Sequence, residues 1–398
     1  MSLLMLLLFL VYFNQASLEK KDPEIWKKAQ KIHNEAIVFD AHAHSLISGK
    51  GTIDDLDLGR KTGQSQVDFV TMKEGGLDAL FLSLPIPSNR DTGNPSKRIL
   101  DSVDKVKEQI KNYPDLSKLA LTAADVRQIH DSGKRAVLLS IECRYPLEGH
   151  VIMLEPYYKL GIRVINVQHS KIDHLANSDT DNAGESGLSD FGKKVVQKMN
   201  QLGMLIDITH TPDNLQMDII DTSKAPVIAS HSCVRALHDI PRNIPDHILR
   251  ALSKNGGAIM ITFSSGLLSA DFTRKWRKAD AVFELEEKKL KEKFKDDKTE
   301  LDKRLYELWK RLEPTRVDIG VLVDHIDHAV KIAGINHVGL GSDFVGHPNA
   351  QGLESAQGFP LITYQLLKRG YKEDEIKKIL GGNLLRVFED VEKQAKKN

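Results

Sequence analysis

The stretch QLGMLIDITH, residues 201–210, holds a helix end, a buried strand and a histidine within ten residues. Gly203 closes helix-type sequence, where glycine readily takes the left-handed cap that turns the chain back into a sheet. The apolar run that follows is of the kind buried on both faces of a parallel sheet. His210 stands at its end. The same order recurs in KEGGLDALFLSL (73–84), DSGKRAVLLSIE (131–142), KLGIRVINVQH (159–169), KNGGAIMITF (254–263) and IAGINHVGLGSDF (332–344). NEAIVFDAHAH (34–44) and KAPVIASHS (224–232), with Pro226 in place of glycine, bring the number of predicted strands to eight. Eight strands alternating with helices predict an α/β fold, a (β/α)8 TIM barrel. The competing doubly wound sheet would carry G-x-G-x-x-G after its first strand, and that position reads DAHAHSLISGKG (40–51).

The 398 residues are 41% hydrophobic, enough for a large core, so residues 18–398 are expected to form a single barrel domain. Lys and Arg number 56 against 55 Asp and Glu. That balance gives no basic field to recruit nucleic acid and favours a small-molecule or peptide partner. Two cysteines, Cys143 and Cys233, make neither a disulfide framework nor a zinc ribbon, and both are expected to be packing residues. Residues 1–17, MSLLMLLLFLVYFNQAS, resemble a signal peptide, with an apolar run too short to span a bilayer stably. Export to a periplasmic or extracellular space is expected, with retention by an uncleaved N-terminal anchor as the alternative.

Residues 275–314 interrupt the barrel pattern after the seventh predicted strand. Phe283, Leu290, Phe294, Leu301, Leu305, Leu308 and Leu312 form an apolar stripe on charged sequence, predicting one or two amphipathic helices packed on the barrel or on a second subunit. Residues 170–190 are polar and predict a loop over the barrel mouth.

Catalytic groups of a barrel come from the carboxyl ends of its strands. In chain order those ends carry His42 and His44, then Glu142, His169, His210, His231 and Asp343. A lone H-x-H closing a strand is commonly just a pair of hydrogen-bonded histidines. Five imidazoles and two carboxylates at one mouth are harder to satisfy without a cation. Nitrogen and carboxylate donors without thiolate suit Zn²⁺ or a similar divalent ion, and their number exceeds what one catalytic zinc uses. Two ions are therefore expected, His42 and His44 holding one and His210 and His231 the other, with Glu142 as the bridge.

The motifs FDAHAHS, SIE, GIRVINVQHS, GLSDFGKKVVQKMNQLGMLIDITH, PVIASHS, PRNIPD, HVGLGSDF and GGNLLRVF, in this order, resemble the renal or membrane dipeptidase family of the metal-dependent amidohydrolase superfamily. The resemblance implies a binuclear zinc metallopeptidase that hydrolyses dipeptides through a metal-bridging hydroxide and often tolerates a C-terminal D-residue. It implies His42, His44 and Glu142 on one zinc, and Glu142, His210 and His231 on the other. It further implies His169 on the substrate carbonyl, Arg242 on the substrate carboxylate and Asp343 in proton transfer. A possible homodimer is implied as well. Arg242 suits its role because a guanidinium pairs a carboxylate bidentately.

His44 departs from the family's usual H-x-D and makes the cluster one unit more positive, which opens the choice of substrate. An amidohydrolase acting on N-acyl amino acids or lactones is the alternative enzyme. A non-catalytic metal-binding barrel is the alternative outside catalysis.

Overall fold

The computed structural model describes residues 22–44, 55–62, 65–84, 94–143, 146–166, 187–295 and 297–397. The signal-like residues 1–17, His169 and most of the 170–190 loop lie outside the described residues. Among the described residues nine strands occur: β1 Phe39–His44, β2 Ala79–Ser83, β3 Ser117–Leu119, β4 Arg135–Ile141, β5 Ile162–Asn166, β6 Leu205–Asp207, β7 Ile228–Ser232, β8 Ala258–Ile261 and β9 Val338–Leu340. All pair in parallel. β1, β2 and β4 to β9 close into the eight-stranded barrel expected from the sequence, with helices around it.

β3 is the strand that the sequence pattern did not predict. It pairs with Arg135–Val137 of β4, and β5 takes over the same edge from Leu139 onward. Three residues without an apolar run leave no period to read. Gly203, at φ 76°, ends the helix Asp190–Leu202 in the left-handed conformation predicted for it.

Inside the barrel, Phe39, Ala41, Phe81, Leu138, Val164, Leu205, Ile228 and Met260 form one buried cluster. The C-terminal helix Asn383–Ala395 contributes Leu384 and Phe388 to that cluster. Phe81 stacks on Phe39 at 5.0 Å and meets Phe388 edge-on at 5.7 Å. Strand residues facing the helices form a second, larger core that includes Val38, Ala43 and Ala229. Phe39 and Ala41 thus face inward while Ala43, two residues on, faces outward. Simple alternation forbids this.

The cause is a register shift. Asp40 and Ala43 of β1 stand opposite Leu80 and Leu82 of β2, three steps against two. β7 repeats the device, Ala229 and Ser232 standing opposite Ile259 and Ile261 of β8. An extra residue bends a strand and re-aims a side chain. Each shift brackets a histidine, His42 in one strand and His231 in the other.

After β8, the helices Ala270–Lys293 and Lys298–Leu312 occupy the predicted insertion. They pack on each other through Trp309, whose ring lies 4.7 Å from Trp276 and 5.3 Å from Phe283. Phe272 joins the outer core and Trp276 packs against it, so the base of the hairpin is anchored to the barrel. Of the predicted stripe, Leu308 alone is buried; Phe283, Leu290, Phe294, Leu301, Leu305 and Leu312 are half-buried. The tryptophans, absent from that stripe, seal the hairpin.

His325, in the helix Ile319–Ala333, is fully buried; its Nδ1 accepts from the Val234 N–H at 3.1 Å and its Nε2 donates to the Leu268 carbonyl at 3.0 Å. Burial depresses its pKa to about 4, so the folded protein keeps this ring neutral. Its depressed pKa means that the unfolded chain binds the extra proton between pH 6.5 and about 4. The stabilising contribution is complete above pH 6.5 and is lost as pH falls through that window. About 3 kcal/mol is at stake. Denaturant unfolding at pH 7 and pH 4.5 should show a pH-dependent loss that shrinks by about 2 kcal/mol in His325→Gln. An unchanged difference in the variant would exonerate this histidine.

Candidate metal centre

The residues singled out in the sequence converge at the carboxyl-terminal rim of the barrel. β1 carries His42 and His44, Glu142 directly follows β4, and His231 lies within β7. His210 and Asp343 each stand three residues beyond a strand, β6 and β9, and Arg242 lies in the turn region after β7. His210 (φ 68°) and Asp343 (φ 56°) both adopt the left-handed conformation that side chains usually avoid. The Asp343 N–H donates to the His42 carbonyl at 2.9 Å and the His44 N–H to the Phe344 carbonyl at 3.1 Å, tying β1 to the segment after β9.

Glu142 is the centre of the cluster. Its Oε2 lies 2.9 Å from His42 Nε2 and 3.1 Å from His44 Nε2. Its Oε1 lies 2.9 Å from His210 Nε2 and 3.5 Å from His231 Nε2. Each carboxylate oxygen therefore serves one histidine pair, and within each pair the Nε2 atoms are 3.2 Å apart. The His42 and His231 rings stack at 4.0 Å and join the two halves. Asp343 Oδ1 stands 3.9 Å from His44 Nε2. His42, His44 and Asp343 come close enough to share an ion, as do His42, Glu142 and His231.

The electrostatics suit a cation. Burial opposes charge on His42, but Glu142 and Asp343 outweigh it and raise its pKa to about 9. Burial and the charge on His42 depress His231 to about 4. Burial would raise Glu142, yet His42 and His231 hold it well below the usual carboxylate range. Asp343, buried among the same histidines, is lowered too: burial opposes the shift, and the charges of His231 and His42 overcome it. Four imidazole nitrogens around one ionised carboxylate are a donor set for divalent zinc-like ions, which occupy the lone pairs a proton would otherwise take.

Two buried acids support the rim from below. Asp40 accepts from the Ser342 N–H at 2.8 Å, the Ser342 hydroxyl at 2.5 Å and the His42 N–H at 3.2 Å. Asp207 accepts from Asn166 Nδ2, the Thr209 N–H, the Ser230 N–H and the Ser230 hydroxyl, at 3.1, 3.0, 2.9 and 2.6 Å. Gly341 lets the β9 end lie against β7, since a Cβ there would sit 1.8 Å from the Ser230 carbonyl oxygen. Neither acid was singled out in the sequence. A charged residue inside an otherwise apolar strand, as in IVFDAHAH and MLIDITH, is the signal that would have found both.

Arg242 donates from Nη1 to Ser232 Oγ at 3.1 Å and from Nη2 to the His231 carbonyl at 3.1 Å, and Nη2 also faces His210 Nε2 at 3.0 Å. Arg235 donates to the carbonyls of Pro241 and Asn243 on either side of it and pairs with Asp213. Cys233 is buried, its thiol pushed up by that burial, and Cys143 packs half-buried against the outer core. Neither cysteine belongs to a metal-sized cluster among the described residues.

The membrane dipeptidase family, Peptidase family M19, matches residues 26–398. The chain belongs to this family. Dipeptidase 3 of Rattus norvegicus is 29% identical over 390 residues, covering 95% of this chain and 70% of that protein. Dipeptidase tcpJ of Claviceps purpurea is 30% identical over 350 residues, covering 85% of this chain and 72% of that protein. Among solved structures, the probable dipeptidase PvdM from Pseudomonas aeruginosa superposes with a TM-score of 0.77 at 25% identity, covering 94% of this chain and all of that one. The protein is thus a metal-dependent dipeptidase of family M19, built on the barrel that its strands close. Like its M19 relatives it calls for a metal cofactor, and the rim cluster is where the donors lie. Among the described residues no helix of this M19 chain is long and apolar enough to cross a membrane.

Proposed function

We propose that the protein is a binuclear zinc dipeptidase, with His42, His44 and Glu142 holding one ion and Glu142, His210 and His231 the other. The division of Glu142's two oxygens between two histidine pairs is the observation that carries this reading. When bound, such a pair supplies Lewis acidity and a bridging hydroxide as nucleophile at neutral pH. Asp343, ionised and at the rim, takes the proton released by the nucleophile and returns it to the departing amine. Arg242 pairs the substrate carboxylate through its planar fork and so selects a free C-terminus over an internal peptide bond. His169, outside the described residues, takes the scissile carbonyl oxygen on the strength of the family resemblance alone.

The reading extends to the whole chain: a single barrel domain over residues 18–398, exported on the signal-like residues 1–17. An uncleaved anchor and a homodimer are compatible with it.

Dialysis against a chelator should abolish dipeptide hydrolysis, and zinc should restore it, reaching a plateau at two ions per chain. A panel of L,L and L,D dipeptides should be cleaved, while C-terminally amidated analogues, which lack the free carboxylate, should not. Turnover of N-acyl amino acids or lactones with no dipeptide cleaved would move the substrate to the alternative amidohydrolase class and leave the metal chemistry standing. Activity indifferent to the chelator would remove both.

A further inference from the structure

We infer that Asp207 and Ser230 form a positioning relay that fixes the tautomer of His231 and thereby sets the affinity of the ion on the His210 and His231 side. The inference rests on the metal reading of the rim. Asp207, Ser230 and His231 are all buried, with 0–1% of each exposed. The Asp207 carboxylate faces four donors, two on each oxygen. An ionised carboxylate only accepts. The Ser230 hydroxyl, 2.6 Å from Asp207 Oδ2, therefore commits its single proton to Asp207.

That commitment leaves Ser230 Oγ as an acceptor towards His231 Nδ1, 2.8 Å away. Thr209 Oγ1 is a longer contact of the same hydroxyl, at 3.4 Å. His231 must then carry its ring proton on Nδ1 and present the lone pair of Nε2 to the rim, where Glu142 Oε1 and His210 Nε2 stand. A hydrogen bond to the distal nitrogen orients a ligand ring and raises its basicity, and its loss typically costs 10- to 100-fold in metal affinity. The opposite side is built differently. Asp40 clasps Ser342 in the same way, but its bond towards His42 runs to the backbone N–H and not to the ring. The relay should therefore act on one ion and spare the other.

Zinc titration of the full chain against a chromophoric chelator tests this. The parent should bind in two steps. Ser230→Ala and Asp207→Asn should each weaken one step 10- to 100-fold and leave the other within about twofold, and Ser230→Thr, which keeps the hydroxyl, should recover most of the loss. Two steps unchanged in Ser230→Ala, or both weakened alike, would overturn the relay while the metal reading survives. A parent that binds no zinc overturns the metal reading and the relay with it. Should the variants fail to fold, histidine-selective ¹⁵N labelling of the zinc-loaded parent decides. His231 protonated on Nδ1 and ligating through Nε2 supports the relay, and the reverse arrangement ends it.

Discussion

Replacing Glu142 with glutamine is expected to lower kcat/KM for dipeptides by at least about 10³-fold, or about 4 kcal/mol of transition-state stabilisation, and to leave the protein short of one ion or both. Glutamine keeps the shape of the side chain but exchanges one carboxylate oxygen for an N–H₂ group. One histidine pair would then face a donor in place of an acceptor, whichever way the amide is turned. The rim would also lose the anion that offsets the charge of the ions in a buried setting, where an uncompensated charge is costly. Metal analysis by mass spectrometry alongside steady-state kinetics reads both effects. Two ions and parental turnover in the variant would show that Glu142 is not the bridge.

Asp343→Asn should cost about 10²- to 10⁴-fold in kcat with KM changed little and metal content unchanged. The substitution preserves volume and tolerates the positive φ of this position, since asparagine is among the residues that enter that region most readily. What it removes is the basic oxygen that would carry a proton from nucleophile to leaving group. The geometry also sets up the contrary result, because Asp343 stands with His42 and His44 in one metal-sized group. Loss of an ion together with turnover would make Asp343 a ligand, supplying the carboxylate that His44 does not, and the proton carrier would have to be sought elsewhere.

The barrel was legible in the sequence because each helix-to-strand junction repeats one local rule, as at Gly203 and the run that follows it. The rim was legible for a different reason: strand ends fall where apolar runs stop, and His210, His231, Glu142 and Asp343 stop them. Where a side chain points was not legible. Counting by twos from Phe39 and Ala41 turns His42 and His44 towards the helices, and only the register shift against β2 brings them round to Glu142. Such a shift is decided by how two strands settle against each other across the sheet, which no single strand records. β3 was hidden because pairing, not composition, makes it a strand. Asp40 and Asp207 could have been suspected, but their hydroxyl partners, Ser342 just beyond β9 and Ser230 within β7, come from separate stretches of chain that only the folded barrel brings alongside.

The left-handed backbone at His210 and Asp343 narrows the amino-acid alphabet open to evolutionary drift at these two places. Valine, isoleucine and threonine are barred there by their branched carbons before any chemistry is considered, while glycine, asparagine, aspartate and histidine are tolerated. Three of those four bear a polar head able to hold a cation or a proton. Substitution at these two turns is thus steered by sterics towards short polar side chains, so the backbone itself favours groups that can bind an ion or carry a proton.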